Sequence, residues 1–227
     1  MRMTRHMRDR ARAGIWRGAA LALAVTLVAS AATPVVARDL LDRVIAVVSG
    51  TVITLSDARA AIRFGLVETT GERDPVAIAM QWLVDRQLVL DEVNRYEFGD
   101  PSPEQFEAEF GEVTKRLAVG GRPADSLASL GWTDDGARRF VRDTIRVQQF
   151  LARRFESVQP GTEEELSAFY AANAARFGQA GTALTFSDAR PAVEKAFEAV
   201  RRVQAIDAYL ARLRRRTDVN ELYVPGR

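Results

Sequence analysis

Asp42-Arg-Val-Ile-Ala-Val-Val-Ser-Gly-Thr-Val-Ile-Thr-Leu-Ser-Asp57 is the stretch from which the fold is read. Val44 to Val48 is a β-branched run, Ser49-Gly50 is a turn dipeptide and Val52 to Thr54 is a return strand, so the segment predicts a short β-hairpin. The hairpin leads straight into a helix. Ser56 is placed to accept a hydrogen bond from the first free amides of that helix, and Asp57 brings negative charge to its positive end.

Downstream the pattern is helical. Asp74-Pro75 opens a long helix to about Tyr96, with an acidic cap and proline at the first position. Its apolar arc, from Val76 through Trp82 and Leu88 to Val93, is wide enough to predict packing on several sides, with Trp82 in the core. Ser102-Pro103 opens a helix to about Leu117 that carries Phe106 and Phe110. Ala124 to Leu130 reads as a short helix, and Thr133-Asp-Asp135 caps another to about Phe155. Arg139, Arg142, Arg146 and Arg153 on this helix predict a solvated face, because acids are interspersed. Thr162-Glu-Glu-Glu165 is a capping box for a helix that ends near Phe177, and Gly178 to Ala183 reads as a linker. Ser187-Asp188 is expected to cap a last helix to about Arg216. On it Val193, Ala196, Val200, Val203, Ile206, Leu210 and Leu213 make one apolar seam. Val219 to Val224 reads as a final strand.

The opening of the chain has a different character. Residues 1–13 hold five arginines and one acid, no charge occurs from Gly18 to Ala37, and small residues stand at Val35-Val36-Ala37. This predicts a secretory signal over 1–37, cleaved near Ala37 and using the general secretory route, with a retained membrane anchor as the competing reading. Of 32 basic and 30 acidic residues, six arginines and one aspartate fall in that segment, which leaves 26 against 29. The basic balance is thus partly a property of the signal, and a nucleic-acid partner is not expected. There is no cysteine, and the only histidine is His6. Ser-His-Asp and Cys-His nucleophiles and His-based zinc sites cannot be built from residues 38–227. We therefore expect no catalytic residue, no metal site and no cofactor.

Four segments carry a family resemblance: Asp42 to Asp57; Ala77 to Arg95 with Trp82-Leu-Val-Asp-Arg-Gln-Leu-Val-Leu90; Leu130-Gly-Trp-Thr133 followed by Phe140-Val-Arg-Asp-Thr-Ile145; and Thr162 to Phe177 with Phe169-Tyr170, Asn173 and Arg176-Phe177. In this order and spacing they resemble the SurA-type periplasmic chaperones, folding factors that carry parvulin prolyl-isomerase domains. The resemblance implies a mainly α fold, a multi-helix chaperone core with a small β-hairpin, and a C-terminal strand at Val219 to Val224 that pairs with that hairpin. It implies a helical chaperone domain over 38–177 and a C-terminal helix and strand over 185–227 that pack back on it. Residues 178–184 stand where family members place the parvulin domain. Seven residues cannot replace a domain of about 50 or more, and the parvulin histidines are missing as well.

The resulting expectation is a periplasmic holdase that binds unfolded outer-membrane or secreted polypeptides without chemistry, and is not an enzyme. The alternatives are a peptidyl-prolyl isomerase, the activity of the family, and an adaptor that docks a dedicated partner or pairs with a second copy through the Val193–Leu213 seam. No stable membrane insertion is expected once the signal is removed, and the oligomeric state stays open. Phe106, Phe110 and Trp132 lie near loops where a groove could expose them, although each of these large apolar side chains also suits a core. Residues that contact polypeptide are not assigned.

Overall fold

The computed structural model describes residues 42–119, 121–179 and 182–225. The expected signal, its cleavage point and His6 lie outside the described residues. The element order is β1 (Val44–Val48), β2 (Thr51–Thr54), α1 (Leu55–Arg63), α2 (Pro75–Arg95), α3 (Pro103–Leu117), α4 (Pro123–Ser129), α5 (Asp134–Arg154) and α6 (Glu163–Asn173). A 3-10 turn (Ala174–Phe177), β3 (Gly178–Gln179), β4 (Thr182–Ala183), α7 (Phe186–Arg216) and β5 (Val219–Glu221) complete it. The fold is mainly helical with one small three-stranded sheet of order β2-β1-β5.

The hairpin forms as its sequence predicts. Ser49 and Gly50 both take positive φ, +47° and +84°, the conformation of a tight two-residue turn between right-twisted strands. β5 pairs antiparallel with the other side of β1, Val48 opposite Val219 and Ala46 opposite Glu221. The strand is shorter than expected, yet Leu222 and Tyr223 still donate to the Ile45 carbonyl at 2.8 and 3.1 Å.

Helix starts follow local chemistry. Asp74, Ser102, Thr133 and Thr162 each accept from an amide of the first turn of α2, α3, α5 and α6. Two starts differ from expectation. α1 is capped by Thr54, two residues before Ser56: the Thr54 hydroxyl accepts from the Asp57 amide at 3.3 Å and the Asp57 carboxylate accepts from the Thr54 amide at 2.8 Å. Ser56 instead turns back and bonds the Asp42 carboxylate through its amide and its hydroxyl. α7 is capped by Thr185, not Ser187, with the Thr185 hydroxyl accepting from the Asp188 amide at 3.3 Å. Both helices start from a residue in extended backbone whose hydroxyl meets the third helical amide, a geometry Ser56 and Ser187 cannot take from inside the first turn.

Three apolar clusters fill the described residues. The first lies under the sheet and joins Ile45, Val48 and Ile53 to α2 (Leu83, Val84, Leu88, Val93), to Phe150 of α5, and to Tyr209 and Leu213 of α7. The second joins Phe64 at the end of α1 to Phe106, Phe110, Val113 and Leu117 of α3, Leu127 of α4 and Val141 and Ile145 of α5. We call these two the body. The third is small and forms a tip: Leu166 of α6 and Ala189 and Val193 of α7 are buried, surrounded by half-buried Phe169, Tyr170, Phe177, Leu184, Phe186 and Phe197. The expected linker after Phe177 is part of this tip. β3 and β4 form a miniature hairpin, and Leu184, just past it, packs on the cluster and accepts a hydrogen bond from the Tyr170 hydroxyl.

α7 therefore serves both regions. Its seam is buried at Val193 and at Leu213, but Val200 and Val203 between them are 37% and 57% exposed. One continuous buried seam is not what forms, because the face that meets the tip and the face that meets the body lie at different angles around the helix.

Candidate polypeptide-binding site

α2 carries two charged side chains into the body, Arg86 and Glu92, and the first of them borders two concavities. Arg86 is 8% exposed, its Nε donates to the Thr144 hydroxyl at 2.8 Å and its Nη2 to the Phe140 carbonyl at 2.9 Å. The guanidinium lies 4.2 Å from the centre of the Phe140 ring. Burial lowers its pKa to about 10, against the pull of the Asp143 and Asp57 carboxylates. Arg86 lines two concavities, one on either side of it.

On one side is a polar cleft of about 510 Å³ that includes Asp42, Ser56, Asp57, Trp132, Arg139 and Asp143. Burial pushes the Asp57 carboxyl up from its ordinary value, opposed by the hydrogen bonds from Thr54. Burial also acts to raise Asp42, but hydrogen bonds from Ser56, Thr54 and the Arg43 backbone outweigh it and leave that carboxyl lowered. Two carboxyls shifted in opposite directions are the usual starting point for acid–base chemistry. Here both are occupied: Asp57 closes the capping box of α1 and Asp42 holds Ser56. Their work is to fix the joint between hairpin and helix.

The other side of Arg86 is an apolar crevice of about 190 Å³ where α2, α5 and α7 meet. Trp82 and Val89, Val147 and Leu151, and Leu210 line it, with Asp85, Thr144 and Gln148 at its edges. Asp85 accepts from Arg214 at 2.7 Å, which ties α7 across the crevice end. Trp82, expected in the core, is half-buried, with its ring 6.3 Å from Phe140. Val203 stands seven residues before Leu210, about two turns along the same side of α7, whereas Val200, ten residues before, is turned roughly 80° away. Exposed Asp207 stands between Val203 and Leu210 on that face, so the apolar lining ends at Leu210 and Val203 is an exposed apolar side chain beyond it.

The aromatics singled out from sequence go elsewhere. Phe106 and Phe110 are 8% and 6% exposed, stack on each other at 5.7 Å and are covered by the guanidinium groups of Arg138 and Arg142. Trp132 is half-buried between Phe64 and Phe140, at ring distances of 5.7 and 5.2 Å. None of the three lines the crevice. The arginine face of α5 also differs from expectation. Arg139 and Arg153 are exposed, whereas Arg146 donates to the Phe98 carbonyl at 3.0 Å and to Asn94 at 3.2 Å, anchoring the α2–α3 loop. A wider concavity, about 780 Å³ beside Tyr96 and Phe98, is rimmed by Glu97, Asp100, Arg153 and Glu156.

Among the described residues no three His, Cys, Asp or Glu side chains are grouped to hold a metal ion, and no helix is long and apolar enough to cross a membrane. In comparisons with known proteins, no family model matches the chain and no curated protein matches it.

Proposed function

We propose that this chain is a holdase-type chaperone that is exported to the periplasm and binds unfolded polypeptides reversibly through apolar contact. The observation that carries the reading is the Trp82–Leu210 crevice, an open apolar concavity where three helices meet, with exposed Val203 about two turns away along α7. Extended chain presents apolar side chains at regular intervals, and a crevice of this size takes one of them while exposed Val203 offers a further apolar contact along α7. The order of segments that resembles the SurA-type chaperones supports the same reading, as does the signal-like opening of the chain. The reading requires no chemistry, which agrees with carboxylates that are engaged in capping.

The test dilutes a denatured outer-membrane porin into buffer with and without the chain and follows light scattering. Suppressed aggregation is expected, and Val203→Glu, which replaces an exposed apolar side chain near the crevice with a charge, is expected to weaken it with an unchanged melting temperature. Aggregation that proceeds unaffected at excess chain rejects the reading. Proline isomerisation in a test peptide is expected to run at its uncatalysed rate.

A further inference from the structure

Four arginines from three helices converge on one buried carboxylate and one ring. Arg95 in the last turn of α2 and Arg216 in the last turn of α7 both donate to Glu92 Oε1, at 2.8 and 2.7 Å. Glu92 is 4% exposed, and its other oxygen lies 3.4 Å from the Tyr209 hydroxyl. The Arg154 and Arg212 guanidinium groups sit 4.7 and 5.8 Å from the centre of the same Tyr209 ring. Among the described residues neither of these two meets a carboxylate.

We propose that this cluster is a binding site for a phosphate-bearing anion. Against its four positive charges stand Glu92 and Asp91, the latter acting on Arg95 from the neighbouring position, so the cluster keeps a surplus of two. A carboxylate would neutralise half of that surplus, whereas a phosphate monoester carries about −1.5 to −2 at pH 7 and offers three acceptor oxygens. Guanidinium forks suit those oxygens, and the Tyr209 ring holds two of the forks in place before any ligand arrives. Helix-end electrostatics favours arginine in a last turn. It does not account for Arg212, a turn inside α7, nor for side chains of three helices meeting over one ring. The ligand is either free phosphate or the phosphate-monoester headgroup of phosphatidic acid, which carries the same terminal group.

The test uses the full chain and two double variants of equal charge change. Arg154→Gln with Arg212→Gln removes the guanidinium groups that lack carboxylate partners, and Arg59→Gln with Arg139→Gln removes two exposed charges elsewhere. One arm titrates inorganic phosphate while following the arginine side-chain NMR signals. The other floats the protein with phosphatidylcholine vesicles with or without phosphatidic acid; all proteins share residues 1–41, so only differences between them count. Binding of phosphate or of the anionic vesicles, weakened at least about tenfold by the first variant and less than about twofold by the second, is expected. Phosphate binding without vesicle binding identifies a free ligand, and binding to phosphatidic acid vesicles alone identifies the headgroup. Equal losses in the two variants, no loss in the first, or no binding of either probe overturns the proposal.

Discussion

The body and the tip are built on the same helix, yet they hold together by different means. In the body, the second half of α7 lies against buried side chains: Leu213 is 2% exposed and Tyr209 4%. In the tip only Leu166, Ala189 and Val193 are buried, and the aromatics around them stay half-open. Polar clasps make up part of the difference. Arg201 donates to the Gln159 and Pro160 carbonyls and to Glu165, and Arg202 to the carbonyls of Phe155 and Glu156, pinning the α5–α6 connection along α7. Exposed clasps of this kind contribute little each, so the tip should open at a lower free energy than the body.

That contrast can be broken first in the body. Phe64 is fully buried among Trp132 and Phe140, and Phe64→Ala is expected to cost about 3–5 kcal/mol of global stability in denaturant unfolding. Leu166→Ala removes the main buried side chain of the tip. Its cost, about 2 kcal/mol, should show as faster hydrogen exchange in α6 and the first half of α7, with the amides of α2 unchanged. Equal acceleration in α2 would mean that tip and body unfold as one. A finer probe is Gly161→Ala, whose new Cβ would stand 2.6 Å from Phe197 Cε1 and 2.9 Å from Leu166 Cδ2. Overpacking of about 1–3 kcal/mol should again be confined to the tip.

The smallest effect is electrostatic and belongs to the body alone. Burial holds the Asp57 carboxyl above its ordinary 3.8. The folded chain therefore keeps that proton at pH values where the unfolded chain has released it, and stability falls as pH rises across the window just above 3.8. Asp57→Asn, which can still cap the Thr54 amide, should flatten this part of the curve of melting temperature against pH. Asp42 is shifted the other way, so its contribution is lost only as pH falls below its ordinary value, and it should remain in the variant.

These elements were not equally legible in the sequence. Caps at Asp74, Ser102, Thr133 and Thr162 are local chemistry, and a residue-by-residue reading finds them. At α1 and α7 two hydroxyl residues compete within three positions, and strand geometry at Thr54 and Thr185 decides between them. The apolar stripe of α7 was visible as a period, but a period does not say which neighbour covers each turn, so the exposure of Val200 and Val203 was not. The Trp82 crevice was hidden for the same reason: it exists only where three helices meet. The wide apolar arc of α2 was its one trace. The tip hairpin rests on residues with little strand propensity, and Phe106 and Phe110 gave no sign that arginines would cover them.

The pairing of β1 with β5 has a mechanical consequence. Because the two strands are antiparallel neighbours, the chain entering β1 and the chain leaving β5 emerge at the same end of the sheet, where Tyr223 bonds Ile45. A force that separates those two segments loads the ladder one hydrogen bond at a time instead of shearing all of them together. The seam between strands about 170 residues apart in sequence would then peel from its open end, at Tyr223 and Leu222 first, well before Leu83 or Leu88 felt the load.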